Sequence, residues 1–157
     1  MNTISKARNM HMTAVTELAK KTFNEAIIIQ ACKLHDIGYL YPDTGFHPVD
    51  GFLWCTKEKI NRDVTIAVLY HGNAKALCPE ELKRYFLSNR QTRKSRFLTK
   101  CVDWCDMRTS ATGEKVSVTE RHRDILNRYG ANSLESKAFK DLWRRMGDDF
   151  PTAKTTI

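Results

Sequence analysis

The sequence predicts an all-α protein, and three observations support this fold class. Most of the 157 residues follow the periodicity of about 3.6 that is typical of amphipathic helices. Residues that commonly cap or stop helices separate the periodic segments. No alternating apolar and polar run is long enough to indicate a strand. We therefore predict a compact single-domain helical bundle over residues 1–150 and a frayed tail over 151–157.

Four helices are predicted in the first half of the chain. The first covers residues 10–21, and the second follows a cap at Asn24, runs through the apolar stretch 26–34 and is stopped by Gly38. The third begins near His47, because the proline that follows lacks only an N–H that the first turn of a helix does not use. The fourth follows a cap at residue 61 and continues to residue 71.

Four more helices are predicted in the second half, after a loop at residues 72–78. Ser117 and Glu120 have the spacing of a capping box, in which each side chain accepts from the backbone amide of the other residue. The helix that they begin continues to Tyr129 and is stopped by Gly130. A loop is predicted at 109–115, and the helices of this half are predicted at 79–88, 93–108, 118–129 and 134–146.

Composition excludes several classes of protein. An apolar content of 41%, with four Pro and seven Gly, fits neither a disordered nor a fibrous chain. The five Cys are odd in number and form no Cys-x-x-Cys motif, which argues against a disulfide framework and a cysteine-based zinc ribbon. The first ten residues lack the apolar core of a signal peptide, and no run approaches the roughly 20 apolar residues of a membrane span. We expect a soluble protein of the reducing cytoplasm that does not enter membranes.

The formal net charge of +8 predicts affinity for anions. Residues 83–100 contain seven basic and no acidic residues. One interpretation of this stretch is an ordinary solvated surface. The other is a patch that binds phosphate-bearing ligands or nucleic acid.

A series of histidines and aspartates predicts a metal site between the central helices. Imidazole nitrogens and carboxylate oxygens are ligands of divalent transition metals, and the His-Asp dipeptide at 35–36 supplies both types from adjacent positions. One isolated histidine is more typical of a buried or surface residue than of a ligand, so the argument depends on the whole series. Its members are His11, His35, Asp36, His47, His71 and Asp106.

The last carboxylate of the series has two candidates. The apolar stripe of the helix at 93–108 is centred on residues 98–105, so Asp106 lies at its edge and Asp103 lies further round. Asp106 is therefore the favoured ligand, and Asp103 is interpreted as a solvated carboxylate. The opposite assignment stays open, because residues three apart share a helix face.

Several stretches resemble small single-domain bacterial proteins of the HD-domain metal-dependent phosphohydrolase superfamily. They span about residues 8–130, in the order of the family motifs: HMTAVTELA, KLHDIGYL, DTGFHPVDG, YHGNA and WCDMRTSATGEKVSVTER followed by RYG. The resemblance implies an all-α metal-binding fold. It implies that the four core ligands are His11, His35, Asp36 and Asp106, and that His47 and His71 are the extra histidines that hold a second metal in some members.

The chain departs from the HD proteins that hydrolyse cyclic dinucleotides. Tyr39 stands where those proteins commonly have Lys after the His-Asp-x-Gly run, Tyr70-His71 replaces a His-His pair, and their Gly-Tyr-Pro segment is missing. A cyclic di-GMP phosphodiesterase is therefore not supported. His47 is retained, and six N/O ligands exceed what one open catalytic ion usually takes, which favours two metals over one.

The resemblance implies a metal-dependent phosphohydrolase, either a phosphomonoesterase or a phosphodiesterase, whose substrate is a nucleotide or another small phosphate ester. His35 and Asp36 would activate water through one or two ions of Mn, Fe, Co, Ni or Zn, with Mg as a further candidate. Arg108 and Lys75 are the nearest cations in sequence that could stabilise phosphoryl charge, although each is also readily explained as a surface charge.

Two other functions remain alternatives. One is an HD-type diiron oxygenase, because that branch of the superfamily uses a similar six-ligand set. The other is a non-catalytic, basic nucleic-acid-binding module with a structural metal, which would bind through residues 83–100. Among the remaining residues, His122 is predicted to be solvent-exposed and not a ligand, Asp50 to orient a ligand or cap the third helix, and the three Trp to be core or half-core residues.

Overall fold

The structure is a computed structural model that describes residues 5–147 and 150–151. This part of the chain is helical and has no β-strand, which confirms the all-α prediction. Short 3-10 turns connect some of the helices. The α-helices are α1 (Lys6–Thr22), α2 (Ala26–Leu34), α3 (His47–Lys57), α4 (Arg62–Tyr70), α5 (Ala74–Leu77), α6 (Lys83–Ser88), α7 (Arg93–Asp106), α8 (Val118–Tyr129) and α9 (Leu134–Met146).

Local capping signals placed several helix ends correctly. Asn61 caps α4, where its side chain accepts from the amide of Asp63 at 2.9 Å. Ser117 and Glu120 form the predicted capping box of α8, and Gly130 ends that helix with φ of 83°. These signals depend on neighbouring residues only, which is why the sequence alone predicts them.

Other boundaries differ from the predictions. The predicted cap at Asn24 is wrong, because Asn24 adopts a left-handed φ of 51° between α1 and α2, and Glu25 precedes α2 without a side-chain cap. The predicted loop at 72–78 contains the short helix α5, and the predicted helix at 79–88 divides into a 3-10 turn and α6. Residues 148–149 and most of the predicted tail at 151–157 lie outside the described residues, and the single-domain prediction is untested.

The main core lies where α7 packs against α1, α2 and α4. Its fully buried side chains include Val15, Ile28, Val68, Leu98 and Val102, one or more from each of these helices. All five cysteines are buried and free, as expected for a chain without a disulfide framework. This packing holds together the helices that position His11, His35 and His71 of the predicted metal site.

Two smaller apolar clusters complete the packing. One joins α3 and α4 to α6 around Phe52 and Phe86, and the other joins α8 and α9 to Met107 at the end of α7. Trp54, Trp104 and Trp143 are partly buried at the edges of the apolar clusters, which confirms the prediction of half-core aromatics.

Gly38 permits a close approach that positions the site. A Cβ at this residue would lie 2.0 Å from the carbonyl oxygen of His47 and 2.6 Å from the amide nitrogen of Gly51. Only glycine allows the chain after α2 to come this near to the first turn of α3. The contact brings the His35-Asp36 dipeptide beside His47, although the two histidines are 12 positions apart in sequence.

Candidate metal centre

Asp36 lies at the centre of the histidine cluster. It directly follows His35, the C-cap of α2, and its φ of −102° and ψ of 14° take the chain out of the helix. Its Oδ1 lies 3.3 Å from Nε2 of His47 and 3.3 Å from Nε2 of His71. Its Oδ2 lies 3.5 Å from Nε2 of His35 and 3.9 Å from Nε2 of His11. One buried carboxylate therefore faces four imidazoles, two on each oxygen.

The donors form two triads that share Asp36. His11, His35 and Asp36 make one group whose ligand atoms lie within 4.8 Å of one another, and Asp36, His47 and His71 make the other. Five residues from five parts of the fold thus converge: α1, the end of α2, the turn after it, the start of α3 and the end of α4. Each triad could hold a metal ion, and Asp36 is placed to serve both.

Backbone carbonyls orient three of the four rings. Nδ1 of His11 lies 2.8 Å from the carbonyl oxygen of Ser110. Nδ1 of His35 and of His71 each lies 2.7 Å from the carbonyl oxygen three residues earlier in its own helix. In the neutral imidazole, a proton on Nδ1 leaves a lone pair on Nε2, and in all three rings Nε2 faces the cluster. This arrangement, with the ring held through its other nitrogen, is typical of metal-ligating histidines.

Among the described residues, two buried polar atoms of the cluster have no hydrogen-bond partner while His11 is neutral: Nε2 of His35 and Oδ1 of Asp106. Burying such atoms without a partner is costly, and a native fold retains them where a ligand or an ion satisfies them. The donor set of imidazole nitrogen and carboxylate oxygen fits a divalent transition metal.

Asp106 completes one side of the cluster. Its Oδ1 lies 3.0 Å from Nε2 of His11, and its side chain is partly exposed at the end of α7. When the Nδ1 of His11 donates to Ser110, two electron-pair donors, Nε2 and Oδ1, face each other across this distance. A cation bound between or beside Nε2 and Oδ1 would remove the repulsion between their lone pairs. The geometry therefore places Asp106 beside the first triad.

Burial and the mutual charges shift the pKa values of the cluster in opposite directions. Burial alone would lower the pKa of His11 and His71, but the carboxylates of Asp106 and Asp36 raise it, to about 8 for His71. Burial lowers the pKa of His35 and His47. Burial would raise the pKa of Asp36, and the surrounding imidazoles, His35 first, hold it well below its usual range. Asp36 is thus ready to act as an anionic ligand.

Arg8 and Tyr39 lie beside the centre. An Nη atom of Arg8 lies 2.5 Å from Oδ2 of Asp36, and its guanidinium lies 4.1 Å from the centroid of the Tyr39 ring. Tyr39 stacks on His47 at 4.1 Å between ring centroids. Tyr39 therefore presents an aromatic face that contacts both a cation and a histidine of the cluster.

A pocket of about 200 Å³ opens beside the cluster and reaches Asp36, His47, His71 and Asp106. Three arginines line it, Arg8 from α1 and Arg121 and Arg128 from α8. Arg121 and Arg128 both contact Asp124, with Nη of Arg121 at 3.2 Å from Oδ2 of that residue. The pocket also has an apolar wall formed by Tyr39, Phe46, Ile125, Tyr129, Phe139 and Leu142.

Several residues selected from the sequence lie elsewhere or act differently. Lys75 is exposed and lines a different pocket, and Arg108 lies over the ring of Trp104 at 4.1 Å, outside the lining of the pocket beside the cluster. Asp103 is buried, so its interpretation as a solvated carboxylate is wrong. Its Oδ1 accepts from the amide of Gly72 at 2.6 Å.

Asp50 and His122 also differ from their predictions. Among the described residues, Asp50 has no hydrogen bond to a histidine of the cluster. Its oxygens accept from the amide and hydroxyl of Thr44, at 2.7 and 2.6 Å, and from the amide of Gly45. It thereby orders the turn that precedes His47. His122 is half-buried and stacks on Phe139, so it is not solvent-exposed as predicted, and it does not belong to either triad.

Sequence reasoning missed the arginines and the aromatic wall of this pocket. Arg8 had a usable signal, because it precedes His11 by three residues and so lies on the same face of α1. Arg121 and Arg128 are seven residues apart and share a face of α8, but nothing local indicates that this face turns toward α1. The sequence marks Tyr39 only as a departure from a motif of the family that it resembles.

Comparisons with protein families, with curated proteins and with solved structures found no match to this chain. In the described residues, no helix has the length and apolar character that crossing a membrane requires.

Proposed function

We propose that the protein is an HD-type, metal-dependent phosphohydrolase that cleaves a phosphoester bond of a nucleotide or another small phosphate ester. The observation that carries the proposal is the position of the two triads, which share Asp36 beside a pocket lined by three arginines. Metal ligands and cations that meet at one cavity are what hydrolysis of a phosphate ester requires. The order of His11, His35-Asp36 and Asp106 along the chain supports the HD type.

The two triads support a site for two ions. The first would be held by His11, His35 and Asp36 with Asp106 beside them, and the second by Asp36, His47 and His71. A divalent transition metal bound there supplies a water of lowered pKa as the nucleophile and polarises the phosphoryl oxygens. Mn, Fe, Co, Ni and Zn all accept such a donor set.

The arginines of the pocket suit the phosphate group. Arg8 lies against Asp36, so its guanidinium is adjacent to both triads. Arg121 and Arg128 line the same pocket from α8 and can neutralise the negative charge that spreads over the phosphoryl oxygens in the transition state. These three residues take the role that the sequence suggested for Arg108 and Lys75.

The apolar wall suits the remainder of the substrate. Tyr39, Tyr129 and Phe139 present aromatic surface within the pocket that also reaches the metal ligands. Aromatic rings stack on nucleobases and on other flat groups. A nucleotide, with its phosphate toward Arg8 and its base toward this wall, matches both features. The three arginines of the pocket favour this proposal over an HD-type diiron oxygenase, since positive charge at the attacking and leaving oxygens assists phosphoryl transfer.

Metal analysis and a phosphate-release panel test the function. The purified protein would be loaded with Mn, Co or Ni and assayed on nucleotides and phosphomonoesters. We expect His35→Gln and Asp36→Asn to lower phosphate release by about 100-fold or more, because each removes a metal ligand. His122→Gln is the matched control, a histidine outside both triads, and should retain activity within about twofold.

Three outcomes would contradict the phosphohydrolase. In the first, the parent protein releases no phosphate from any substrate of the panel. In the second, the His35 and Asp36 variants hydrolyse as well as the parent. The third is oxygen consumption by an iron-loaded protein without phosphate release, which would favour the diiron oxygenase.

A further inference from the structure

A second pocket, of about 430 Å³, lies between α7, α9 and the segment that joins α4 to α5. Its volume falls within the range of small-molecule sites. Apart from Leu142, none of its lining residues belongs to the pocket beside the metal centre. It contains Lys75 and two members of the basic stretch 83–100, residues that the proposed function does not use.

Four cations line this pocket, from three helices: Lys75 on α5, Arg96 and Lys100 on α7, and Arg145 on α9. Lys75 and Arg96 take part in no ion pair among the described residues. Lys100 lies over the ring of Phe150 at 4.3 Å, and Nε of Arg145 lies 3.1 Å from Oδ2 of Asp141. The described part of the lining therefore carries more positive than negative charge.

One face of α7 supplies most of the polar groups. Arg96, Thr99, Lys100 and Asp103 are spaced three, four and seven residues from the first of them, so they follow one side of the helix. The hydroxyl of Thr99 accepts from the side-chain amide of Gln91 at 3.0 Å. Among the lining residues that the structure describes, Asp103 is the only acidic one, and one of its oxygens already accepts from Gly72.

We propose that this second pocket binds a small phosphorylated molecule, whose phosphate contacts Arg96, Lys100 and Lys75. Charged guanidinium and ammonium donors that converge on a concavity are typical of phosphate sites. Asp103 and Gln91 offer hydrogen-bond partners to a hydroxyl or amino group on the rest of the ligand.

The shape of the site favours a small ligand over a nucleic-acid strand. The cations converge on one cavity from α5, α7 and α9, whereas a strand requires a row of cations along an open surface. Arg93 and Lys94, the exposed cations at the start of α7, do not line the pocket. These two residues provide a control with the same change in charge.

Calorimetric titration with pyrophosphate tests the proposal. The protein would be kept metal-free with a chelator and would carry Arg121→Gln and Arg128→Gln, which removes two cations of the other pocket. We expect the double substitution Arg96→Gln/Lys100→Gln to weaken pyrophosphate binding by about tenfold or more, because it removes two charge-assisted contacts. Arg93→Gln/Lys94→Gln should change the affinity by less than about threefold, through long-range charge alone.

A parallel titration with a fluorescent single-stranded oligonucleotide identifies the competing ligand. The proposed phosphate site would be contradicted if both double substitutions weakened pyrophosphate binding equally. Unchanged binding after Arg96→Gln/Lys100→Gln would contradict it as well. Oligonucleotide binding that is tighter than pyrophosphate binding and depends on Arg93 and Lys94 would assign the stretch to nucleic acid instead. If Arg96→Gln/Lys100→Gln fails to fold by circular dichroism, the exposed Lys75→Gln is tested with the same expectation.

Discussion

At the scale of single residues, the environments of Asp36 and Asp103 shift the pKa values of the two carboxyl groups in opposite directions. Both carboxylates are 3% exposed, so burial penalises their charged form in the same way. The imidazoles of His35, His47 and His71 hold the pKa of Asp36 well below its usual range. Asp103 accepts from the backbone amide of Gly72, and burial raises its pKa to about 7. The two carboxyl groups differ because more positive charge surrounds Asp36 than surrounds Asp103. Asp36 is therefore ionised and can serve as a candidate metal ligand, whereas Asp103 is near its titration midpoint at neutral pH.

Asp103→Asn should stabilise the metal-free protein above neutral pH. The folded-state pKa of about 7 lies above the unfolded value of about 3.9, so the native state binds the extra proton and loses stability as pH rises from about 4 through 7. Asparagine removes this loss and keeps an oxygen that accepts from Gly72. At pH 8 the variant should gain up to about 4 kcal/mol, at about 1.4 kcal/mol per pKa unit. Urea unfolding at pH 5 and pH 8 measures it, and a gain that is equal at both pH values would contradict the assignment.

At the scale of secondary-structure elements, the site depends on how closely the chain after α2 approaches α3. The contact involves the backbone of His47 and Gly38, with Gly51 one turn further along α3. Asp50 fixes the other side of this approach, because it orders the turn that leads into α3. The position of His47 relative to Asp36 is therefore set by the junction of two elements, not by either helix alone.

Gly38→Ala should disrupt that junction. Its Cβ would lie 2.0 Å from a backbone carbonyl oxygen, so the first turn of α3 must move. We expect a loss of about 1–3 kcal/mol in the free energy of unfolding, typical of overpacking, and weaker binding of the second metal ion, which His47 would hold. Denaturant unfolding and metal titration measure the two effects. A variant with the stability and the metal stoichiometry of the parent would show that the close approach has no such role.

At the scale of the whole molecule, α1, α3, α4 and α7 all bring candidate ligands to the cluster around the end of α2. A metal bound by these residues binds the folded chain and not the unfolded one, because the unfolded chain does not assemble the triads. Metal binding should therefore stabilise the global fold and not a single segment.

Added metal should raise the melting temperature more at pH 8.5 than at pH 6. At a concentration of 100 times Kd, a single ion contributes about 2.7 kcal/mol, or a rise of roughly 5–10 °C for a chain of this size. The pKa of His71 is about 8 and that of His11 is raised, so at pH 6 the metal must displace protons from these rings. Thermal melts with and without Mn or Co measure the shift. An equal rise in Asp36→Asn would place the metal elsewhere.

The sequence by itself determined the all-α class and most helix ends, because periodicity, caps and stop residues act over a few neighbouring positions. It also identified the five residues of the two triads, since their chemical types and order carry the information. Only the tertiary structure decided that Asp36 is shared between the triads, that Asp103 is buried, and that the arginines of α8 line the pocket beside the cluster. These features depend on how helices distant in sequence pack together. Asp103 is more deeply buried than Asp106 because of packing that the periodicity of α7 does not specify.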